Sequence, residues 1–442
     1  MAMTHVRADW RAVYRERLVS AEEAARRVKN GDFVYVPIGQ APHAVIRAIV
    51  ARREELSDVT VTALPALDYG WFEPEFEGRV TVNVVYANPA TRDAVERRIA
   101  DYTPFPIYGG HKALDEGRDE ARRIDVNLIT VTPPNEQGYV CLGHIVWDAK
   151  TCTRRAATTI ATVNEHLPRT FGDSWLHVSE IDWFVEDHST PPADRPVADP
   201  DPWDAPIAGY VGSLVNNGDT IQIGVGSTTG NMIRLGGLAG KENLGYFGEL
   251  TVTGTVDLVR EGAINGKRLT THPGTFVATT AGNNAADRAF VNDNPAFEFF
   301  AVDYIHDPRA IAANDNYLAI NNALAVDLTG QIAASTIGPR VYTGTGGHFS
   351  FAMGAYMAKG GRYVCVLPAT AKGGTLSRIA THFEPGQVVT VPRDIADLVV
   401  TEYGIARLLN RSVRERAEAL IAIAHPDFRA ELRKEARRLY WP

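Results

Sequence analysis

The chain has 442 residues, 45% hydrophobic and 22% charged, and its 45 basic against 53 acidic residues leave a net charge of −8. That length supports two or three domains with sizeable cores, and the composition excludes wholesale disorder, collagen-like repeats and a disulfide scaffold. So acidic a chain has no global attraction for nucleic acid or for an anionic membrane surface.

The opening stretch, MAMTHVRADWRAVYRERL, is charged and interrupted, unlike a signal peptide. No apolar run approaches the ~18 residues of a membrane span. Cys141, Cys152 and Cys365 form no C-x-x-C pair, so a reducing cytoplasm is expected. Segment 28–47, VKNGDFVYVPIGQAPHAVIR, predicts an N-G-D turn, an apolar strand, a glycine turn and the start of an amphipathic helix. Strands are expected at Val59–Leu64, Val80–Val85 and Val126–Val131, with a helix over Ala90–Ala100. Residues 188–206 hold six prolines in 19 positions and read as an extended surface linker.

Segment 215–234, VNNGDTIQIGVGSTTGNMIR, then repeats the opening unit. At an offset of 187, seven of 20 positions are identical, among them Gly31/Gly218, Asp32/Asp219 and Gly39/Gly226. Strands are expected at Ile221–Val225, Arg362–Val366 and Gln387–Val389, and helices at Phe349–Ala358 and Ser412–Ala422. The alternation predicts an α/β protein of two tandem related domains with mainly parallel sheets. Their expected extents are 1–190 and 207–442, joined by a linker over 191–206. In such sheets ligands bind where strand ends hand over to helices, so the glycine turns are the places to look for chemistry.

The first such turn is Gly224-Val225-Gly226-Ser227-Thr228-Thr229-Gly230. Its backbone N–H groups suit a phosphate, but the third glycine is one position late for a dinucleotide fingerprint. A tight turn without a ligand reads equally well. A P-loop is absent, and Ser227 lacks a nucleophile elbow. A second cluster, Gly344-Thr345-Gly346-Gly347-His348, can aim N–H groups at a developing oxyanion or form a plain surface loop. Glu249 interrupts the apolar run Leu244–Leu250 near a strand end; it reads either as a solvated surface carboxylate, the commoner case, or as a partly desolvated and therefore stronger nucleophile. Glu402 competes with it. His43 and His348 sit in glycine turns, but the 12 histidines show no metal-ligand spacing, and no metal is expected.

Taken together these turns resemble the acetyl-CoA hydrolase/transferase family, the family I CoA-transferases, most nearly their 4-hydroxybutyrate and butyrate members. The resemblance spans essentially the whole chain. It rests on Pro133-Pro134-Asn135-Glu136-Gln137-Gly138-Tyr139, Asn314-Asp315-Asn316, Ala325–Gln331, Gly344–Gly347, Thr370–Gly374 with Ser377-Arg378, Val400–Ala406 and Ile423–Arg429. It implies two α/β domains with the active site between them. It also implies CoA exchange between a short-chain acyl-CoA and a free carboxylate (acetate, butyrate or 4-hydroxybutyrate type) through a glutamyl-CoA thioester. By motif position Glu249 is the nucleophile and the Gly347 amide an oxyanion donor. Gly224, Val225, Gly226, Ser227, Thr228, Leu324, Thr343, Gly346 and Lys372 are the CoA-binding positions, and Gly39, Gln40 and His348 fall on the substrate side. CoA and acyl-CoA are then substrates, with no permanently bound cofactor, and the assembly is a homodimer or tetramer. The family's His-Thr-Glu reads Phe247-Gly248-Glu249 here, and His348, Ser350 and Thr229 replace the usual Gln, Asp and Pro. An acyl-CoA hydrolase, or a non-catalytic CoA-binding protein of the same fold, are the alternatives.

Overall fold

The two N-G-D segments build the same turn twice. Gly31 and Gly218 take φ of +81° and +83°, a left-handed conformation that glycine adopts without steric cost. Asp32 accepts from the Lys29 N–H at 2.8 Å, and Asp219 from the Asn216 N–H at 2.7 Å. Asn30 and Asn217 each accept, at 2.9 Å, from the N–H of a residue further along, Ser57 and Glu242. In both places the turn launches the first strand of a sheet. A shared hydrogen-bond pattern of this detail makes the internal repeat a structural one.

The computed structural model describes residues 9–62 and 69–441 and separates the chain into two units. The first runs through Asp194 and takes back Asn284–Asp303; the second is Arg195–Asn283 with the chain from Tyr304 onward. In the first unit β1 (Phe33–Tyr35) is followed by α1 (His43–Ala51), β2 (Val59–Thr62), β3 (Val80–Val84), α2 (Pro89–Glu96) and β4 (Asp101–Tyr102). Then come β5 (Val126–Val131), β6 (Thr158–Val163) and β7 (Trp183–Glu186). The sheet order is β7-β6-β5-β1-β2-β3-β4, and every pairing is parallel. All six residues of β5 are buried, as expected of a parallel strand covered on both faces.

The second unit opens with α3 (Asp204–Leu214), β8 (Thr220–Ile223), the single turn α4 (Ser227–Gly230), β9 (Gly245–Leu250) and β10 (Phe276–Thr280). It continues with β11 (Tyr317–Asn322), α5 (His348–Met357), β12 (Arg362–Val366), β13 (Leu398–Thr401), β14 (Gly404–Arg407), α6 (Val413–Ile423) and α7 (Pro426–Tyr440). The strands of its main sheet run β14-β13-β12-β11-β8-β9-β10, parallel except for β14 against β13. In each unit the first strand is central and the chain fills one side before crossing to the other. That crossing is a topological switch point, beside β1 in one unit and beside β8 in the other.

Two expectations change and a third is described only in part. Gln387–Val389 is not a strand: the Val388 N–H is taken by the Thr336 hydroxyl at 2.8 Å, and Val388 and Val389 are half-exposed with no ladder to join. The stretch expected as a linker through Pro206 ends sooner, because α3 begins at Asp204. Pro206 stands in the first turn of that helix, where a missing N–H costs nothing. The end of Val59–Leu64 beyond Thr62 lies outside the described residues. Among the described residues no helix is long and apolar enough to cross a membrane.

Candidate active site

At the end of β8 the glycine turn is dictated by its neighbour β11. A Cβ on Gly224 would lie 2.3 Å from Asn321 Oδ1, and one on Gly226 would lie 2.2 Å from Asn322 Nδ2. The Asn322 side chain donates to the Val225 carbonyl at 3.2 Å and to the Thr229 hydroxyl at 2.5 Å, while that hydroxyl donates to the Gly224 carbonyl at 2.5 Å. The backbone is thereby drawn tight. Its outer side, Val225, Gly226 and Ser227, lines a cavity of about 270 Å³ together with Arg195, Val197, Thr251 and Asn283. Thr228 faces inward and is buried.

Glu249 stands one residue before the end of β9, between buried Gly248 and buried Leu250, with its side chain 18% exposed. The flanking residues hold that strand end rigid. Tyr246 stacks on Phe276 with ring centroids 4.3 Å apart and donates its hydroxyl to the Leu250 carbonyl at 2.5 Å. Burial, and after it the Glu249 charge, push the Tyr246 phenol well up, so it stays a neutral donor. Phe247 turns into the core, its carbonyl accepting from the Tyr317 hydroxyl at 2.5 Å. Of the six residues of β9, Glu249 alone is not buried.

Two residues that the sequence did not nominate flank it. His306, fully buried, places Nε2 within ion-pair distance of Glu249 Oε2, at 3.1 Å. Arg195 lines the neighbouring cavity and interacts electrostatically with Glu249 and Tyr246. The other side of the His306 ring is Gly347, where a Cβ would fall 2.2 Å from His306 Cε1. So Glu249, His306 and Gly347 are packed in series, and Gly347 is the residue before α5. Neither His306 nor Arg195 carries a sequence signal, since one lies in an ordinary loop and the other in the proline-rich stretch.

The remaining expected residues divide. Gly346 (φ +57°) and Thr343 belong to the same glycine loop as Gly347, with the Thr343 N–H donating to the Ser335 carbonyl. Leu324 and the Lys372 hairpin are tied through Arg378, which donates to the Leu324 carbonyl at 3.0 Å and to that of Thr370 at 3.2 Å. Lys372 itself is exposed at the hairpin tip, in the left-handed region at φ +51°. His348 points into the core, its Nε2 2.5 Å from the Tyr363 hydroxyl, and burial pulls its pKa down to about 4, which keeps the imidazole neutral. Gln40, at the switch point of the first unit, spends both ends internally. It accepts from the Thr130 N–H at 2.6 Å and donates to the Ile145 carbonyl at 2.7 Å, while a Cβ on Gly39 would meet Ile145 at 2.6 Å. The competitor Glu402 serves the backbone, accepting from the Ala369 N–H at 2.8 Å.

Residues 3–193 match the family model of the acetyl-CoA hydrolase/transferase N-terminal domain, and residues 288–436 match that of the C-terminal domain. The chain is 35% identical to the 4-hydroxybutyrate coenzyme A transferase of Clostridium kluyveri, over 98% of this chain and 100% of that one. It is 36% identical to the succinyl-CoA:cyclohexane-1-carboxylate CoA transferase of Geobacter metallireducens, over 96% of each. Among solved structures, RipA from Yersinia pestis superposes with a TM-score of 0.90 at 31% identity, covering 98% of this chain and 100% of the other.

Proposed function

The chain belongs to the acetyl-CoA hydrolase/transferase family, and from that premise we propose that it is a CoA-transferase. It exchanges CoA between a short-chain acyl-CoA and a free carboxylate through a thioester on Glu249. The observation that carries this reading is the partly exposed Glu249 carboxylate, held at a strand end against His306, with Gly347 on the far side of that ring. A carboxylate so placed is fixed in direction and still open to a ligand.

In the forward half-reaction a Glu249 oxygen attacks the thioester carbonyl, the C–S bond breaks, and CoA leaves as the thiolate. The product is a mixed anhydride of Glu249 and the acyl group. The thiolate then attacks the glutamyl carbonyl, expelling the donor acid as a carboxylate and leaving enzyme-bound glutamyl-CoA. An acceptor carboxylate attacks that thioester, and the same steps run backward to release the new acyl-CoA and free Glu249. Acyl activation is conserved at every stage, which is why a carboxylate serves better here than a hydroxyl. The Gly347 amide donates to the oxyanion formed at each attack, a contribution of about 10²–10³ in rate for one such donor. His306 keeps the Glu249 oxygen aimed. Arg195 offsets the repulsion between the incoming carboxylate and the acidic site. The turn Gly224–Thr228, with Leu324, Thr343, Gly346 and Lys372, holds CoA, and 207–442 is the domain that carries the nucleophile.

A homodimer or tetramer in a reducing cytoplasm goes with this reading, where the buried thiols of Cys141, Cys152 and Cys365 stay reduced. Steady-state kinetics with butyryl-CoA and acetate test it. Parallel double-reciprocal lines and acetate-dependent turnover are expected; CoA release at the same rate without acetate would make the protein a hydrolase instead.

A further inference from the structure

We propose that His111, Asp148 and Cys152 form a binding site in the first unit for a divalent first-row transition ion, zinc foremost. The site shares no residue with the Glu249 site and rests on none of the transfer chemistry. His111 Nε2 lies 3.2 Å from Asp148 Oδ2 and 3.3 Å from Cys152 Sγ, and all three atoms fall within 4.8 Å of one another. Atoms at these separations leave a point about 2–2.4 Å from each, the bond lengths zinc takes to nitrogen, oxygen and sulfur. Thiolate and carboxylate supply two negative charges and the imidazole none, which balances a dication.

Asp148 and Cys152 are four residues apart at the start of the helix Ala149–Arg155, so they share one face of its first turn. His111 comes to them from a distant loop. Its ring is fixed edge-on by Tyr35 and by Phe105, each with centroids 5.3 Å away. Tyr35 also donates its hydroxyl to Asp148 Oδ2 at 2.5 Å, the kind of outer hydrogen bond that orients a ligating carboxylate. The walls are apolar, with Tyr35, Ile124 and Cys152 buried and Phe33 and Leu114 packed against them. His111, 10% exposed, is the one ligand at the rim, where an ion would enter.

Two further observations point to a ligand. Asp148 is 2% exposed, yet its second oxygen, Oδ1, has no hydrogen-bond partner. A buried carboxylate oxygen without a donor is costly, and bidentate coordination would supply its partner. The geometry also excludes a nucleophile–base relay. In such a relay the thiol and the carboxylate bind opposite nitrogens of the imidazole, whereas here both converge on Nε2. Arg155 does not oppose a cation at close quarters, because Asp115 takes its guanidinium at 2.6 and 2.7 Å and Asp303 at 3.5 Å.

The test uses the full chain, stripped with a chelator and titrated with Zn(II) or Co(II). One bound ion per chain, a thiolate-to-cobalt charge-transfer band and a zinc-dependent rise in thermal midpoint are expected. Cys152→Ser and His111→Ala should each remove the band and lower affinity at least tenfold, whereas Cys141→Ser and Cys365→Ser should leave both unchanged. Circular dichroism of the metal-free variants checks that they fold. An ion content equal to that of Cys152→Ser, or a band that survives in that variant, would overturn the site. CoA transfer by the stripped protein reports on Glu249 alone, so failure of one proposal leaves the other standing.

Discussion

On the proposed function Glu249 is the nucleophile, and the sequence pointed to it through the family resemblance, because a carboxylate in an apolar segment by itself nominated Glu402 as well. Replacing it with Ala should lower transfer by at least ~10⁴-fold, the scale seen when a covalent nucleophile is removed, while acyl-CoA still binds. His306 was not legible. It lies 57 positions further along in an ordinary-looking loop, and only the packing of that loop brings it to 3.1 Å from the carboxylate. His306→Gln should cut kcat about 10–100-fold with little change in the KM for acyl-CoA, because the ring aims the nucleophile and does not hold the substrate. An equal rise in KM would make it a binding residue.

His348 shows how the fold turns a side chain away from its loop. A histidine in a glycine loop looks poised for a ligand, but it is the first residue of α5 and shares a buried face with Phe351, Ala352 and Ala355. Helical periodicity outweighed the loop's composition. The sign of its titration follows. Its pKa falls from an ordinary 6.5 to about 4 in the fold, so the unfolded chain binds the proton more readily. Stability from this group is complete above pH ~6.5 and is lost as pH falls toward ~4, up to about 3 kcal/mol. Thermal midpoints measured from pH 7 to 4 should fall less steeply for His348→Gln than for the parent; identical slopes would contradict the assignment.

At the scale of elements, strands and helices were readable where periodicity was strong. Val126–Val131 and Arg362–Val366 are strands at the expected bounds, and α5 and α6 begin within a residue of theirs. Gln387–Val389 had β-favouring residues but no neighbour to pair with, and pairing is not written in a single segment. The turn after β8 was readable as glycine-rich, but its cause was not. The cause lies in β11, whose Asn321 and Asn322 crowd the places a Cβ would take. Gly226→Ala should therefore raise the KM for acyl-CoA about tenfold or more by pushing the turn into the cavity. Adding Asn322→Ala should restore part of the loss, a coupling that a directly lost CoA contact would not show.

For the whole molecule, the 187-residue offset and the proline-rich stretch pointed to two related α/β halves. The equivalent N-G-D turns and strand orders bear out the kinship. What the sequence hid is that Asn284–Asp303 rejoins the first unit. There Phe297–Phe299 pairs in parallel with Phe171–Gly172, and Arg169 binds Asp293. Long-range returns of this kind leave no local pattern, because each piece is an ordinary helix or strand by itself. The net charge of −8 acquires a meaning at this scale too: on the proposed function an anionic CoA and a carboxylate are drawn in against the molecule's own field, a task for which Arg195 at the cavity wall is placed.

The central claim is that CoA becomes covalently attached to Glu249 and to no other carboxylate. The protein should be incubated with butyryl-CoA, reduced with borohydride, digested and mapped by mass. The account predicts a glutamate reduced to the alcohol at position 249, its amount falling when acetate is added and absent in Glu249→Gln. An unmodified Glu249 in a preparation that transfers CoA, or reduction at Glu402 instead, would contradict it.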